Sequence, residues 1–328
     1  MSTCRWKRLA RGLACGAALA AAAAGASAQS YPAKPVRLIV PLSPGGPSDI
    51  LGRAMAQKLS EALKQTVFVD NRPGAGATIG TDIAAKSPPD GHTLLLIGVS
   101  TLTINATLYP KLPYDTLRDL APVTILAGAP YILAAHPSLP VKTLRELVAL
   151  AKARPGELNY ASGGAGTGPQ MAMEVLKLRT GMNLVHVPYK GTGPALSDLI
   201  AGHVHLQMAN MIAALPPVKS GKLRAIAVSG AKRSPVLPEA PTIAESGVPG
   251  FEEVGGHMVL VPAGTPRAII ARLHQEFLAI LHAPEVKARL AAEGAEVMGI
   301  GPAEAAAIVR NDIEKWARII RHTGIRAN

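Results

Sequence analysis

Cysteine is almost missing from this chain of 328 residues: only Cys4 and Cys15 occur, and both precede residue 29. Residues 29–328 therefore hold no thiol, which excludes disulfide staples, thiolate nucleophiles and cysteine metal sites from that stretch. Aromatic residues make up 3% of the chain. The basic residues are scattered, and no basic patch is interleaved with aromatics, so nucleic-acid binding is not expected. Long apolar runs are scarce as well. The segment from Gly12 to Ala24 is about 13 residues of mostly alanine, short of the roughly 20 that a membrane-spanning helix needs. No G-x-x-x-x-G-K-[ST] phosphate loop and no G-x-S-x-G nucleophile elbow is present.

What the N-terminus does contain is a set of export features. Arg5, Lys7, Arg8 and Arg11 precede the short apolar run, and Ala26-Ser27-Ala28 closes it. A basic n-region, an apolar h-region and an A-x-A site make a secretory signal, with cleavage expected near Ala28 and a periplasmic destination. Cys15 follows Gly12-Leu13-Ala14, a poor match to a lipoprotein box. Four of the 34 basic residues and none of the 22 acidic ones lie in residues 1–28, so cleavage lowers the net charge from +12 to +8. A mildly basic exported protein suits anionic solutes.

Beyond the signal, short apolar runs alternate with amphipathic segments. Val36–Pro41, Val67–Val69, Thr93–Ile97, Asn159–Ala161, Leu184–Val187, Val204–Met208 and Leu223–Val228 read as strands. Apolar stretches at 123–126 and 131–135 are added to them. Ser48 to Leu63 reads as a helix, with Leu51, Met55, Leu59 and Leu63 on one face. Helices are also expected at about 78–86, 143–153, 169–179, 194–201, 266–281, 284–293 and 302–322, the last three opening near proline. Such alternation predicts an α/β fold with parallel-rich sheets flanked by helices. The runs 121–136 and 251–262 could each cross between two lobes. The expected division is 29–130 plus 253–328 for a discontinuous first lobe and 131–252 for the second, with the ligand between them.

Two glycine turns carry the chemistry. Ser43-Pro44-Gly45-Gly46-Pro47-Ser48-Asp49 and Ser162-Gly163-Gly164-Ala165-Gly166-Thr167-Gly168-Pro169 each join a strand to a helix. Glycine lets the backbone approach a ligand, and free amides with a positive dipole end make a helix start an anion seat. Each turn is also simply what a tight strand–helix connection requires. Gly74 to Gly80 spells G-x-G-x-x-x-G and is a poor dinucleotide motif. The pair His203 and His205 has no third metal ligand nearby in sequence, and no nucleophile, base and orienter assemble. No cofactor, metal or catalytic residue is expected.

An ordered set of short motifs then runs through the chain: Tyr31–Pro35, Pro41–Asp49, Asn71–Gly76, Pro89–Leu95, Tyr160–Gly164, Pro188–Gly191, Gly221–Ala225 and Pro262–Pro266. In this the chain resembles the Bug (TctC-like) substrate-binding proteins of tripartite tricarboxylate transport systems. The resemblance implies a type II periplasmic-binding fold whose cleft holds a carboxylate through backbone amides and water. Carried over by position, the binding residues are Gly45, Gly46, Ser48 and Asp49 in the first turn, and Ser162, Gly163, Gly164, Ala165, Gly166 and Thr167 in the second. Ser100, Thr101, Tyr189 and Asn210 are added to them.

Three departures from the family pattern stand out. Ala209 replaces an acid that can face the cleft, which argues against an amino-acid ligand. Gly256-His257 replaces an aromatic pair, which suggests room for a larger tail. The second turn continues as Gly168-Pro169-Gln170. The reading is a non-enzymatic, monomeric binding protein that captures a small carboxylate for membrane permease subunits. Delivery of a signal to a membrane sensor kinase and a secreted α/β hydrolase are the alternatives. Trp316, the only tryptophan after residue 28, is expected to report closure poorly.

Overall fold

A computed structural model describes residues 31–326; the signal segment and its cleavage site near Ala28 lie outside the described residues. Ten strands and ten α-helices follow one another. In the first part come β1 (Val36–Val40), α1 (Pro47–Leu63), β2 (Val67–Asn71), α2 (Thr78–Ala85), β3 (Thr93–Gly98), α3 (Val99–Leu108) and β4 (Leu120–Ala135). The middle holds α4 (Leu144–Ala153), β5 (Asn159–Ser162), α5 (Gly168–Thr180), β6 (Val185–Pro188), α6 (Thr192–Ile200), β7 (Leu206–Asn210), α7 (Met211–Lys219) and β8 (Arg224–Val228). The chain ends with β9 (Val254–Pro262), α8 (Arg267–His282), α9 (Pro284–Ala292), β10 (Glu296–Ile300) and α10 (Pro302–Thr323).

One strand belongs to both lobes. Residues 120–130 of β4 pair antiparallel with β9, while residues 131–135 pair with β7 and β8. The first-lobe sheet therefore runs β2-β1-β3-β9-β4, with β10 also on β4, and the second runs β6-β5-β7-β4, with β8 also on β4. The partner change falls at Pro130, which pairs with Val254, and Tyr131, which pairs with Asn210. Proline has no N–H to donate, so the ladder breaks there at no added loss. Sequence reading split this strand in two because Pro122, Gly128 and Pro130 interrupt it.

The second expected crossing differs. All of β9 pairs within the first sheet, with β3 and β4. The link between lobes is Glu253, whose N–H donates to the Ser229 carbonyl, while the Ser229 N–H donates to that of Tyr131. Three elements escaped the sequence. Helix α3 has no apolar stripe because it is buried nearly all round, Thr103 and Asn105 included. Helix α7 contains Pro216 and Pro217 and is started by Asn210, whose Oδ1 accepts from the Ile212 N–H at 3.1 Å. Strand β10 is short and half-exposed.

The lobes are closed on each other. The Ser43 N–H and hydroxyl both donate to the Lys190 carbonyl, at 2.9 and 3.0 Å. The Tyr109 hydroxyl donates to the Ala165 carbonyl at 3.0 Å, and the Gly168 N–H to Thr101 Oγ1 at 3.3 Å. An apolar cluster crosses the same interface: Ile104, Leu108, Trp316 and Ile320 of the first lobe enclose Met171 of α5 in the second. This corrects the expectation for Trp316, which is 1% exposed in a contact that closure makes. Opening would wet the indole. Adding a bound solute to the ligand-free protein is therefore expected to shift Trp316 emission to shorter wavelength, and Met171→Ala should reduce that shift. An emission maximum that stays fixed while calorimetry reports binding would contradict the contact.

Candidate functional site

The parallel strands β1, β3, β5, β6 and β7 all end at the cleft, where ligands bind in open α/β sheets. Each is followed by a helix, and the first turn of each helix reaches the same small cavity of ≈ 40 Å³. Pro47 and Ser48 come from α1, Gly98, Ser100 and Thr101 from the start of α3, Thr167 and Pro169 from α5, Thr192 from α6 and Asn210 from the cap of α7. Leu42, Tyr131, Gly255, Gly256 and His257 complete the lining. Five helix N-termini, each bringing the positive end of its dipole, thus meet at this cavity, with the Gly168 N–H already given to Thr101 and the Ile212 N–H to Asn210. No charged side chain lines the cavity.

Of the residues expected to bind, Ser48, Ser100, Thr101, Thr167 and Asn210 line the cavity. The others stand behind it. The Gly45 N–H donates to the Asp49 carboxylate at 3.0 Å, and Arg53 donates to the same oxygen at 3.1 Å. Burial pushes the Asp49 pKa up, but the hydrogen bonds from Arg53 and Gly45 outweigh it and leave the carboxyl below its usual range. Asp49 so neutralises part of the first turn's own anion seat. Gly46 caps α1. The two glycine turns both reach this cavity, and both abut Thr192 at the start of α6: a Cβ on Gly46 would lie 3.5 Å from its Cβ and one on Gly163 3.2 Å from its N. The first meets Gly191 and Gly193, and the second meets Gly76, Asn105 and Tyr109.

In the second turn, most amides are satisfied internally. Ser162 Oγ accepts from the Gly164 N–H at 3.0 Å, the Gly166 N–H donates to Gln170 Oε1 at 3.2 Å, and the Thr167 N–H and hydroxyl both donate to the Gly164 carbonyl. Gly164 and Gly166 have φ of +125° and +82°, where other residues are strained. A side chain on Gly163 would press on Thr192, and one on Gly166 would strike Asn105. Ala165 supplies the carbonyl that receives Tyr109. The Tyr189 hydroxyl turns away to donate to Asp198.

A serine–histidine pair does form, which the sequence did not show. Ser162 Oγ lies 2.6 Å from His186 Nε2 because β5 and β6 pair in parallel, Tyr160 opposite His186. Burial lowers the His186 pKa, partly offset by Glu174, and its ring stacks on Tyr160. Yet Ser162 is 1% exposed, its oxygen already holds Gly164, and neither residue lines the cavity. The pair braces the turn.

Two departures read differently in three dimensions. Ala209 does not face the cleft. It is fully buried, opposite Ile132 in β4, in the core that also holds Leu196 and Leu199. Strand side chains alternate, so Asn210 faces the cavity and Ala209 cannot. Gly256-His257 does not open space for a long tail either: a Cβ on Gly256 would already touch Val99 and Ile125 at 3.5 and 3.6 Å, His257 is itself buried, and the neighbouring Gly255 is packed closer still. A Cβ on Gly255 would lie 2.6 Å from Tyr131 Cε1 and 2.8 Å from Asn210 Nδ2. Those side chains fill the room that glycine leaves. Sequence reasoning missed Tyr131, Thr192 and Pro47 as lining residues; a strand-to-helix position was the only signal for Pro47 and Thr192, and Tyr131, inside β4, had none.

This architecture of two lobes joined by a shared strand, with a cleft at the strand ends where hydroxyls and an amide stand among apolar and glycine residues, defines a periplasmic-binding-type fold for solute capture. The sequence from residue 51 to 325 matches the tripartite tricarboxylate transporter family receptor, and the chain belongs to that family of solute-binding proteins. It is 40% identical to the protein BugT of Bordetella pertussis over 301 residues, 92% of each chain. Among solved structures it is similar to the periplasmic binding protein BugD, at 32% identity and TM-score 0.87 over 90% of this chain and 99% of that one. It is similar to an R. palustris protein with adipate, at 36% identity and TM-score 0.88 over 90% and 99%. MatC from Rhodopseudomonas palustris, with bound malate, matches at 31% identity and TM-score 0.85 over 88% and 100%.

Proposed function

We propose that this protein captures a small carboxylate-bearing solute in the periplasm, between a lobe of residues 29–130 plus 253–328 and a lobe of 131–252, and delivers it to membrane permease subunits. The observation that carries the reading is the convergence of five helix N-termini on a cavity that no charged side chain lines. Such a cavity is electropositive without a fixed cation. It favours an anion through backbone amides and hydroxyls, and charge-assisted bonds of this kind are about twice as strong as neutral ones. Ser48, Ser100, Thr101 and Thr167 supply the hydroxyls. The closed state exists through contacts that both lobes share, so a solute gripped by both would favour closure. No chemistry is required of the site, and relatives with bound malate or adipate support the same class of solute.

The test is thermal unfolding of the protein, stripped of bound solute by one cycle of denaturation, against carboxylates and their neutral amides. At about 100 times its dissociation constant a ligand adds roughly 2.7 kcal/mol of stability, enough to raise the melting temperature by several degrees. We expect such a rise with a carboxylate and none with its amide. A rise with neutral or cationic solutes alone would overturn the reading.

A further inference from the structure

His257 stands at the hinge end of the cavity on β9, paired across the sheet with Gly98 on one side and Ala127 on the other. It is 4% exposed. No hydrogen-bond partner for either ring nitrogen occurs among the described residues, and Nδ1 is fully shielded from solvent. A buried polar group without a partner costs about 1–3 kcal/mol unless something else satisfies it. Burial also holds its pKa down at about 4, so the ring is neutral at physiological pH.

Its neighbours share that character. Asn210 uses Oδ1 to cap α7, which leaves the Nδ2 donor without an acceptor among the described residues while the side chain lines the cavity. The Tyr131 hydroxyl lies beside that of Ser100, and burial pushes its pKa well above the usual phenol value, so it too stays uncharged. Glycine at 255 is what lets Tyr131 and Asn210 close up against β9. This end of the cavity thus offers donors and an acceptor, and no charged side chain lines it; the carboxylates of Glu253 and Asp312 act on Tyr131 from outside the lining.

We infer that His257 and Asn210 form a neutral hydrogen-bonding subsite that selects solutes whose far end is a hydroxyl. A hydroxyl can meet His257 Nε2 as donor or acceptor, whichever role the tautomer leaves it, and can accept from Asn210 Nδ2 as well. A second carboxylate would only accept and would be buried close to the first with no cation to balance the pair, and an ammonium only donates. The inference rests on the proposed capture of a carboxylate in the same cavity and specifies what the rest of that solute carries.

The experiment is calorimetric titration with four solutes of equal chain length: butyrate, 4-hydroxybutyrate, succinate and 4-aminobutyrate, repeated for the three-, five- and six-carbon sets. At the length that fits, the hydroxy acid is expected to bind at least about 10-fold more tightly than the other three. His257→Phe should weaken the hydroxy acid by roughly 5- to 100-fold more than it weakens the plain monocarboxylate, as the loss of one buried hydrogen bond dictates. His257→Gln, which keeps a donor and an acceptor, should restore part of the difference and serves if the phenylalanine variant melts early. A preference for the dicarboxylate or the amino acid, or a hydroxy-acid affinity unmoved in both variants, would overturn the subsite while leaving carboxylate capture in place. Failure of every carboxylate at every length would instead overturn the proposed function and the subsite with it.

Discussion

Gly193→Ala is expected to weaken solute binding by about 5- to 150-fold while leaving the ligand-free protein at least as stable as before. Gly193 is the second residue of α6 and has no positive φ, so alanine meets no backbone strain there. Alanine is also the better helix former, by roughly 1 kcal/mol. Across the cleft, however, the added Cβ would fall 2.2 Å from the Pro44 carbonyl oxygen and 3.2 Å from the Gly45 carbonyl carbon. Both are backbone atoms of the first lobe and cannot swing away as a side chain can. Overpacking of this kind costs typically about 1–3 kcal/mol, and here the cost falls on the closed state alone. Lobe closure would become less favourable by that amount, and the apparent affinity would fall in proportion. Calorimetry of the bound carboxylate and a melting curve without it separate the two effects. Unchanged affinity would mean that the solute is held by a more open arrangement. Gly76→Ala is a less clean probe, because its Cβ would strike Ala165 but φ is +59° as well.

Ala209→Asp should destabilise the protein rather than alter its selectivity. The residue is fully buried, and the core around it is built of Ile132, Leu196, Leu199 and Ile212. An aspartate there would bury a carboxylate with no partner, a change that costs about 3–5 kcal/mol. For a chain of this size each kcal/mol is worth roughly 2–4 °C, so the melting temperature should drop by about 10 °C or more. Circular dichroism during heating measures it. A variant that melts normally and binds the carboxylate less well would show Ala209 in the cleft, as the motif comparison suggested, and would contradict the strand register.

How far the site was legible in the sequence follows from what kind of contact each residue makes. The turn at 43–49 and the turn at 162–169 were visible because their glycines serve local geometry, and Gly45, Gly164 and Gly166 do adopt positive φ. Ser48 and Thr167 were found because each sits at the start of a helix that a glycine turn feeds, whereas Ser100 and Thr101 came from the family resemblance alone, expected at the end of a strand and lying instead in the first turn of α3. His257 drew notice only as a departure from an aromatic pattern, and its isolation could not be seen. Whether a histidine has a partner depends on neighbours from β3, β4 and β9, which lie far apart in the chain.

The sequence by itself determined the export signal as an expectation, the alternation of strand and helix, the buried faces such as Leu51, Met55, Leu59 and Leu63 of α1, and the family. These are properties of periodicity, turn chemistry and ordered motifs, all of which are local along the chain. The tertiary structure alone decided that one 16-residue strand serves both lobes and that both glycine turns pack against the start of α6. It also placed Trp316 against Met171 and left Asn210 rather than Ala209 in the cleft. Each of these depends on register, which a single proline or a one-residue shift can change and which no local pattern encodes.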